Sequence, residues 1–238
     1  MTHIADDARA YFQPLVDLPA RTVVGFEALA RFADGTPPPE RLAQAEAAGV
    51  RDELEMALIE LAVRTSVTLP EDAFVTLNAS SSTMLAEGLD AILAGTTRAW
   101  GLELYEGSAV EESRAVRERI SSLGAFLLID DAGAGLADEK RIVDLRPDIV
   151  KIDRLLFWAA LDDEAERERV ASLSRAARSV GARVLVEGIE TAEQVDAARE
   201  LGAVLGQGYY LGRPTPPEDL PAVLAELQRT IGIDTPGL

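Results

Sequence analysis

The 238-residue chain has no cysteine, and its only histidine is His3. Without thiols there is neither a disulfide framework nor a thiolate zinc site, and no sulfur can act as nucleophile. With histidine confined to the extreme N-terminus, a metal must be held by oxygen, which selects magnesium, manganese or calcium over zinc. Positive charge is also scarce: 23 lysines and arginines against 41 acidic residues give a formal net charge of -18. That balance argues against a broad footprint for duplex DNA or RNA, so long nucleic acid is not an expected partner. A small phosphate ligand stays compatible, because bound divalent ions reverse the local field. The apolar runs are too short to span a bilayer, and Met1-Thr2-His3-Ile4-Ala5-Asp6-Asp7 has no basic region followed by an apolar core. The expectation is a soluble cytoplasmic protein with no membrane segment.

What is present is a repeated strand ending. Phe74-Val75-Thr76-Leu77 runs into Asn78, Trp100-Gly101-Leu102 into Glu103, and Phe126-Leu127-Leu128-Ile129 into Asp130-Asp131. Ile149-Val150 runs into Lys151, Val184-Leu185-Val186 into Glu187, and Ala203-Val204-Leu205-Gly206 into Gln207. Buried carboxylates need a shared counter-charge, and a metal ion is the simplest one. Helical stretches between the runs give a strand–helix rhythm, and in a β/α barrel the C-terminal strand ends converge on one face.

The length suits one such barrel, with an N-terminal extension over 1–10 and a barrel domain over 11–238. Tyr11 to Leu18 and Arg21 to Arg31 are separated only by Pro19-Ala20, which predicts an antiparallel hairpin. Helices are expected around 38–48, 51–68, 82–93, 109–123, 137–144, 163–180, 191–201 and 217–231. Val170, Leu173, Ala177 and Val180 keep helical spacing up to Gly181, and Thr191 with Gln194 forms a capping box for a helix stopping at Gly202. Pro37-Pro38-Pro39 makes a rigid lead into the first helix.

Taken singly, each polar residue also has an ordinary reading. Glu27 could be a surface carboxylate on an edge, Asn78 and Ser80 helix caps, and Asp130-Asp131 a turn. Lys151 could be a solvated strand-end lysine, and Glu103, Glu106 and Glu187 rim charges. Arg31 could pair with a helix carboxylate, Gln13 could sit on an edge, and Gln207 could bond a neighbouring backbone.

The motifs taken together carry a resemblance. Gly25-Phe26-Glu27-Ala28-Leu29-Ala30-Arg31 is similar to the signature of the EAL family, bacterial phosphodiesterases that open the cyclic dinucleotide c-di-GMP. Tyr11-Phe12-Gln13-Pro14 precedes it, and Ala45-Glu46 with Gly49, Asn78-Ala79-Ser80 and Glu103-Leu104-Tyr105-Glu106 follow in order. Asp130-Asp131-Ala132-Gly133-Ala134-Gly135, Lys151-Ile152-Asp153, Glu187-Gly188-Ile189-Glu190 and Gln207-Gly208-Tyr209 complete the pattern. Unrelated surface residues would have to reproduce the whole ordered set by chance.

The resemblance implies a TIM-like (β/α)8 barrel with an antiparallel first strand and two magnesium or manganese ions at its C-terminal face. By that resemblance Glu27, Asn78, Glu103 and Asp130 hold the first ion, Asp130 and Asp131 serve the second, and Asp130 bridges. Lys151 sits beside the attacking water or the scissile phosphate, Glu187 supports the water or acts as base, and Gln207 holds the hydrogen-bond network. Gln13, Leu29, Arg31, Asn78 and Asp153 belong to the substrate side. A two-metal site of this kind suits in-line hydrolysis of a phosphodiester without a covalent intermediate. The implied activity is hydrolysis of c-di-GMP to linear pGpG, with a homodimer and a sensor or regulatory domain as candidate partners. A catalytically weak c-di-GMP receptor acting through a protein partner and a Schiff-base barrel aldolase using Lys151 are the alternatives. The chain departs from the family at Ala132 and Ala134, where an aromatic and a threonine or serine are usual, and at Tyr105, where threonine is usual.

Overall fold

The computed structural model of the protein describes residues 4–104, 113–133 and 138–235. His3, Tyr105, Glu106, Ala134 and Gly135 lie outside the described residues. Strands β1 (Ala8–Asp17) and β2 (Thr22–Phe32) form the expected antiparallel hairpin. The remaining strands β3 (Phe74–Ala79), β4 (Trp100–Leu104), β5 (Phe126–Ala132), β6 (Ile149–Ile152), β7 (Arg183–Val186) and β8 (Leu205–Gly206) run parallel to β2. They close into a barrel in sequence order, and β1 seals it against β8. The first strand begins at Ala8, ahead of the expected Tyr11, because Ala8 to Ala10 pair with Ala30 to Phe32.

Helices α1 (Pro38–Ala47) and α2 (Arg51–Thr65) follow β2, and the proline run starts α1 as expected, with Pro37 extended at its N-cap. The stretch 82–93 is not one helix: α3 (Ser81–Leu85) and α4 (Leu89–Leu93) are split at Gly88, whose φ of 95° is left-handed. Helix α5 (Ser113–Ser122) follows β4 and α6 (Asp138–Leu145) follows β5. After β6 come two helices where one was expected, α7 (Arg154–Asp162) and α8 (Glu164–Ser179). The added α7 is apolar almost throughout, so its sequence shows no polar face to reveal the helical period. Helix α9 (Ala192–Glu200) starts on Thr191, whose Oγ1 accepts from Gln194 N at 3.3 Å. Gln194 Oε1 in turn accepts from Glu190 N at 2.6 Å, one residue before the usual partner of a capping box. Helix α10 (Leu220–Ile231) closes the ring. Among the described residues no helix is long and apolar enough to cross a membrane.

The period of two along each strand divides its side chains between two cores. Val75, Leu77, Leu102, Leu104, Leu127, Ile129, Val150, Ile152, Val184 and Val186 belong to the large core that includes buried residues of the surrounding helices. Leu15, Phe74, Leu128, Ile149, Leu185 and Leu205 form a separate cluster that plugs the barrel interior. Large and small residues alternate within the plug. A Cβ added to Gly101 would stand 2.7 Å from Leu128 Cδ1 and 2.8 Å from Thr76 Cγ2, and one at Gly25 would stand 2.8 Å from the Phe74 carbonyl oxygen.

This packing predicts that Gly101→Ala is destabilising by about 1–3 kcal/mol through overpacking. Urea unfolding should show a lowered midpoint, partly restored by adding Leu128→Val to relieve the contact. A Gly101→Ala protein as stable as the parent would show that the plug has room to spare.

Candidate metal centre

The next inward positions above the plug are all polar. Glu27 lies two residues after Gly25, Asn78 after Thr76, Glu103 after Gly101, Asp130 after Leu128, Lys151 after Ile149, Glu187 after Leu185 and Gln207 after Leu205. On the reversed β1, Gln13 lies two residues before Leu15 and pairs with Glu27. Strand alternation therefore delivers one layer of functional groups from eight different strands to a single level.

At the centre of that layer is the Lys151 ammonium, 1% exposed. It lies 2.6 Å from Glu103 Oε2, 2.8 Å from Asp130 Oδ1, 2.8 Å from Glu187 Oε1 and 3.5 Å from Glu27 Oε2. Amide side chains hold Glu27 from both sides: Asn78 Nδ2 donates to its Oε1 at 3.1 Å and Gln207 Nε2 to its Oε2 at 2.7 Å. Gln207 Nε2 also reaches Gln13 Oε1 at 3.1 Å, and Gln13 Nε2 donates to the Gly212 carbonyl at 3.0 Å. Neither Lys151 nor Glu27 is a solvated rim charge.

One cation does not balance four carboxylates. Burial, followed by the neighbouring Glu27 charge, pushes Glu103 well above the usual carboxylate range despite Lys151. Burial likewise raises Glu187 to about 8, with Lys151 pulling it down and Asp130 pushing it up. Burial alone would lower Lys151, but Asp130, Glu103, Glu187 and Glu27 outweigh it and hold the ammonium well above the ordinary lysine range.

Asp130 and Asp131 are consecutive, so a regular strand would send their side chains to opposite faces. Here the β5–β6 register shifts between Ile129 and Ala132, and Asp131 takes a left-handed φ of 52°. The bulge brings carboxylate oxygens of Asp130, Asp131 and Glu187 within 4.8 Å of one another. Left-handed backbone at a non-glycine residue costs on the order of 1–2 kcal/mol, and Asp is among the residues that tolerate it best. The strain sits where two adjacent carboxylates join one cluster.

The donor set fits a hard cation. Glu103 Oε1 and Gln207 Oε1 are buried without a hydrogen-bond partner among the described residues, and both are acceptors on side chains of the acidic layer. All the converging donors are oxygen, as magnesium and manganese prefer.

The other expected residues lie higher or turn away. Leu29 and Arg31, with Glu27, Asn78, Asp130 and Asp131, line an open cleft of about 750 Å³. Among the described residues Arg31 makes no helix ion pair; its guanidinium lies 5.7 Å from the Tyr11 ring centroid and donates to the Ala30 carbonyl at 2.8 Å. Asp153 Oδ1 caps α7, accepting from Leu155 N at 2.9 Å and Leu156 N at 3.2 Å. Ser80 does cap α3, accepting from Thr83 N at 3.2 Å, whereas its neighbour Asn78 turns to Glu27. Ala132 is buried at the end of β5.

Two supporting residues were missed by the sequence reading. Glu55 of α2 is buried and its Oε2 accepts from both Ser80 N and Ser80 Oγ, at 2.8 Å and 2.7 Å, fixing the chain just after Asn78. A carboxylate sharing a helix face with Ile59 and Ala62 was the available clue. Trp158 of α7 donates from Nε1 to the Gly188 carbonyl at 2.8 Å, bracing the turn that follows Glu187. Its helix was not foreseen, and so neither was this contact.

Comparison with known proteins bears on this arrangement. The sequence model of the EAL domain matches residues 3–214. The cyclic di-GMP phosphodiesterase NbdA of Pseudomonas aeruginosa is 28% identical over 229 residues, which are 89% of this chain and 29% of that protein. The structure of the PaMucR phosphodiesterase in its c-di-GMP complex superposes with a TM-score of 0.79 at 25% identity, covering 90% of this chain and 94% of that one. Klebsiella pneumoniae BlrP1 with manganese and c-di-GMP also gives 0.79 at 25% identity, covering 88% of this chain and 56% of its own. The chain spans about a third or less of the length of the first curated relatives it matches.

Two expectations follow for metal-free protein. Glu187 keeps its proton up to about pH 8 when folded but loses it near 4.5 when unfolded. Over that interval the native state binds more protons, so stability should fall as pH rises. Urea midpoints measured in chelator should decline across the interval, and manganese, which competes with the proton, should remove the decline. A midpoint that is flat in chelator would contradict a buried, protonated Glu187. Separately, Asp131→Gly relieves left-handed strain and removes one charge from the cluster, so it should raise metal-free stability by about 1 kcal/mol or more while weakening manganese binding. Asp131→Asn separates the two contributions, because it removes the charge and keeps a side chain at the strained position.

Proposed function

As the chain belongs to the EAL domain family, we propose that it hydrolyses cyclic di-GMP to linear pGpG with magnesium or manganese, two ions per site. The observation that carries this reading is the buried layer in which Lys151 meets Glu103, Asp130, Glu187 and Glu27 at the floor of an open cleft. Structures of one similar protein, Klebsiella pneumoniae BlrP1, with c-di-GMP together with manganese or calcium support it.

Glu27, Asn78, Glu103 and Asp130 would hold one ion, and Asp130 with Asp131 the other. Such ions, when bound, supply Lewis acidity toward phosphoryl oxygens and make water a better nucleophile at neutral pH. The protein's own groups complete the chemistry. Lys151 is kept protonated and water-poor, so its ammonium stabilises negative charge developing on the phosphoryl group without reorganisation. Glu187, the most exposed of the four carboxylates around Lys151, is placed to take a proton from the attacking water once bound cations have displaced its own. Asn78 and Gln207 lock the Glu27 carboxylate in one orientation. Gln13, Leu29 and Arg31 are assigned to the dinucleotide.

A Schiff-base nucleophile must be a neutral amine, and the carboxylates around Lys151 hold it in the opposite state, which disfavours the aldolase alternative. A sensor or regulatory domain and a homodimer stay part of the proposal as candidate partners.

Chromatography of c-di-GMP after incubation should show pGpG with magnesium or manganese, none with chelator, and little with calcium. Binding without turnover under all metals would identify a receptor instead. Glu27→Ala should lower kcat by about 100-fold or more while leaving the unfolding midpoint near that of the parent. Near-normal activity with normal metal content would remove Glu27 from the ligand set.

A further inference from the structure

The face of the β1–β2 hairpin that carries the metal centre continues beyond the barrel rim. Gln13 pairs with Glu27, Tyr11 with Leu29 and Arg9 with Arg31. Directly opposed residues in an antiparallel pair share a face, and every second residue returns to it. The three pairs therefore form a ladder with rungs roughly 7 Å apart. Its bottom rung belongs to the metal centre, its middle rung is apolar, and its top rung is a pair of arginines. Pairing of β2 with β3 ends at Ala28, so the upper rungs stand above the rim. Both Arg9 and Arg31 line the cleft that also contains Glu27, Asp130 and Asp131.

Guanidinium groups set directly opposite each other repel unless something negative lies between them. Among the described residues neither is in an ion pair; the nearby Asp7 and Asp34 are both taken by Arg41. Arg31 leans over the Tyr11 ring, bringing its charge down from the top rung toward the metal layer. In a chain of net charge -18, two arginines at opposed positions on the face leading to the active site, neither in an ion pair among the described residues, point to an anion.

We propose that Arg9 is a substrate-recognition residue, which with Arg31 holds the second phosphodiester of the cyclic dinucleotide while the first is cleaved below. This rests on the dinucleotide reading of the site. A cyclic dinucleotide carries two diester phosphates, and the ladder offers a matching pair of stations: oxygen ligands for metal at the bottom and planar, two-pronged donors above. The apolar rung between them, Tyr11 and Leu29, suits the sugar and base surface that separates the phosphates. A ligand with a single phosphate would leave the upper station idle, so Arg9 would contribute selectivity as well as affinity.

The test measures KM for c-di-GMP and for bis(4-nitrophenyl) phosphate, a single diester, with manganese. Arg9→Ala should raise KM for c-di-GMP about tenfold, and its selectivity for the dinucleotide over the single diester should drop by a similar factor. Arg9→Lys should fall between parent and Arg9→Ala, and the salt dependence of KM should flatten in Arg9→Ala. Arg9 is exposed, so its replacement should leave the urea midpoint in place. A parent that cleaves c-di-GMP alongside an Arg9→Ala variant with the same KM and selectivity would make Arg9 a solvated surface arginine and leave the proposed function standing. A parent that cleaves only the single diester would overturn the dinucleotide reading and the role of Arg9 together.

Discussion

A single buried ammonium held among four carboxylates is the constraint on which the rest of the molecule turns. Each ion taken out of water costs several kcal/mol in effective terms, and Lys151 compensates fewer charges than surround it. The metal-free site is therefore electrostatically incomplete. Glu103 and Glu187 respond by holding protons far above their ordinary range, and unpaired acceptor oxygens stay buried in the layer. In the proposed function divalent cations would relieve the same imbalance that the protons relieve, so metal and proton would compete for one set of oxygens. The arrangement is poor as a stabilising device and carries the all-oxygen donor set of a cation site.

The barrel makes such a layer affordable by confining it. Every strand contributes one inward residue to the acidic level, and the residues beneath it form a closed apolar plug that keeps water from reaching the site from below. Because the strands alternate, the residues between these belong to the outer core and pack toward the helices. The one place where two neighbours on a single strand, Asp130 and Asp131, both join the acidic cluster is the place where β5 bulges and the backbone turns left-handed. Regularity builds the layer, and one local irregularity adds a further carboxylate to it.

Around the layer, helix residues fix the turns that carry its ligands. Glu55 grips the chain after Asn78 and Trp158 grips the turn after Glu187. Gly188 has a left-handed φ of 75°, and a Cβ there would stand 2.6 Å from Arg154 Cβ, so α7 presses directly on that turn. These contacts govern how closely Asn78 and Glu187 are held in position. Above the rim the hairpin carries the chemistry outward, from ligands to apolar surface to guanidinium groups.

Much of this was legible in the sequence. Apolar runs ending in Asn78, Glu103, Asp130, Lys151, Glu187 and Gln207 specified strand ends at one face, because strand alternation and barrel closure are local rules with a global outcome. The hairpin, the proline lead into α1 and the cap at Thr191 were likewise decided by neighbours in the chain. Other features were set only by tertiary structure. The apolar α7 had no period to betray it, and the break at Gly88 depended on a backbone angle that composition does not display. Arg9 appeared to precede the barrel until pairing placed it opposite Arg31. Asp153, quoted within a motif, spends its Oδ1 on capping a helix. Which residues are polar, and in what order, is a property of the chain. Which of them face one another, and how many charges share one cation, depends on pairings between segments far apart in sequence, and only the closed barrel decides those.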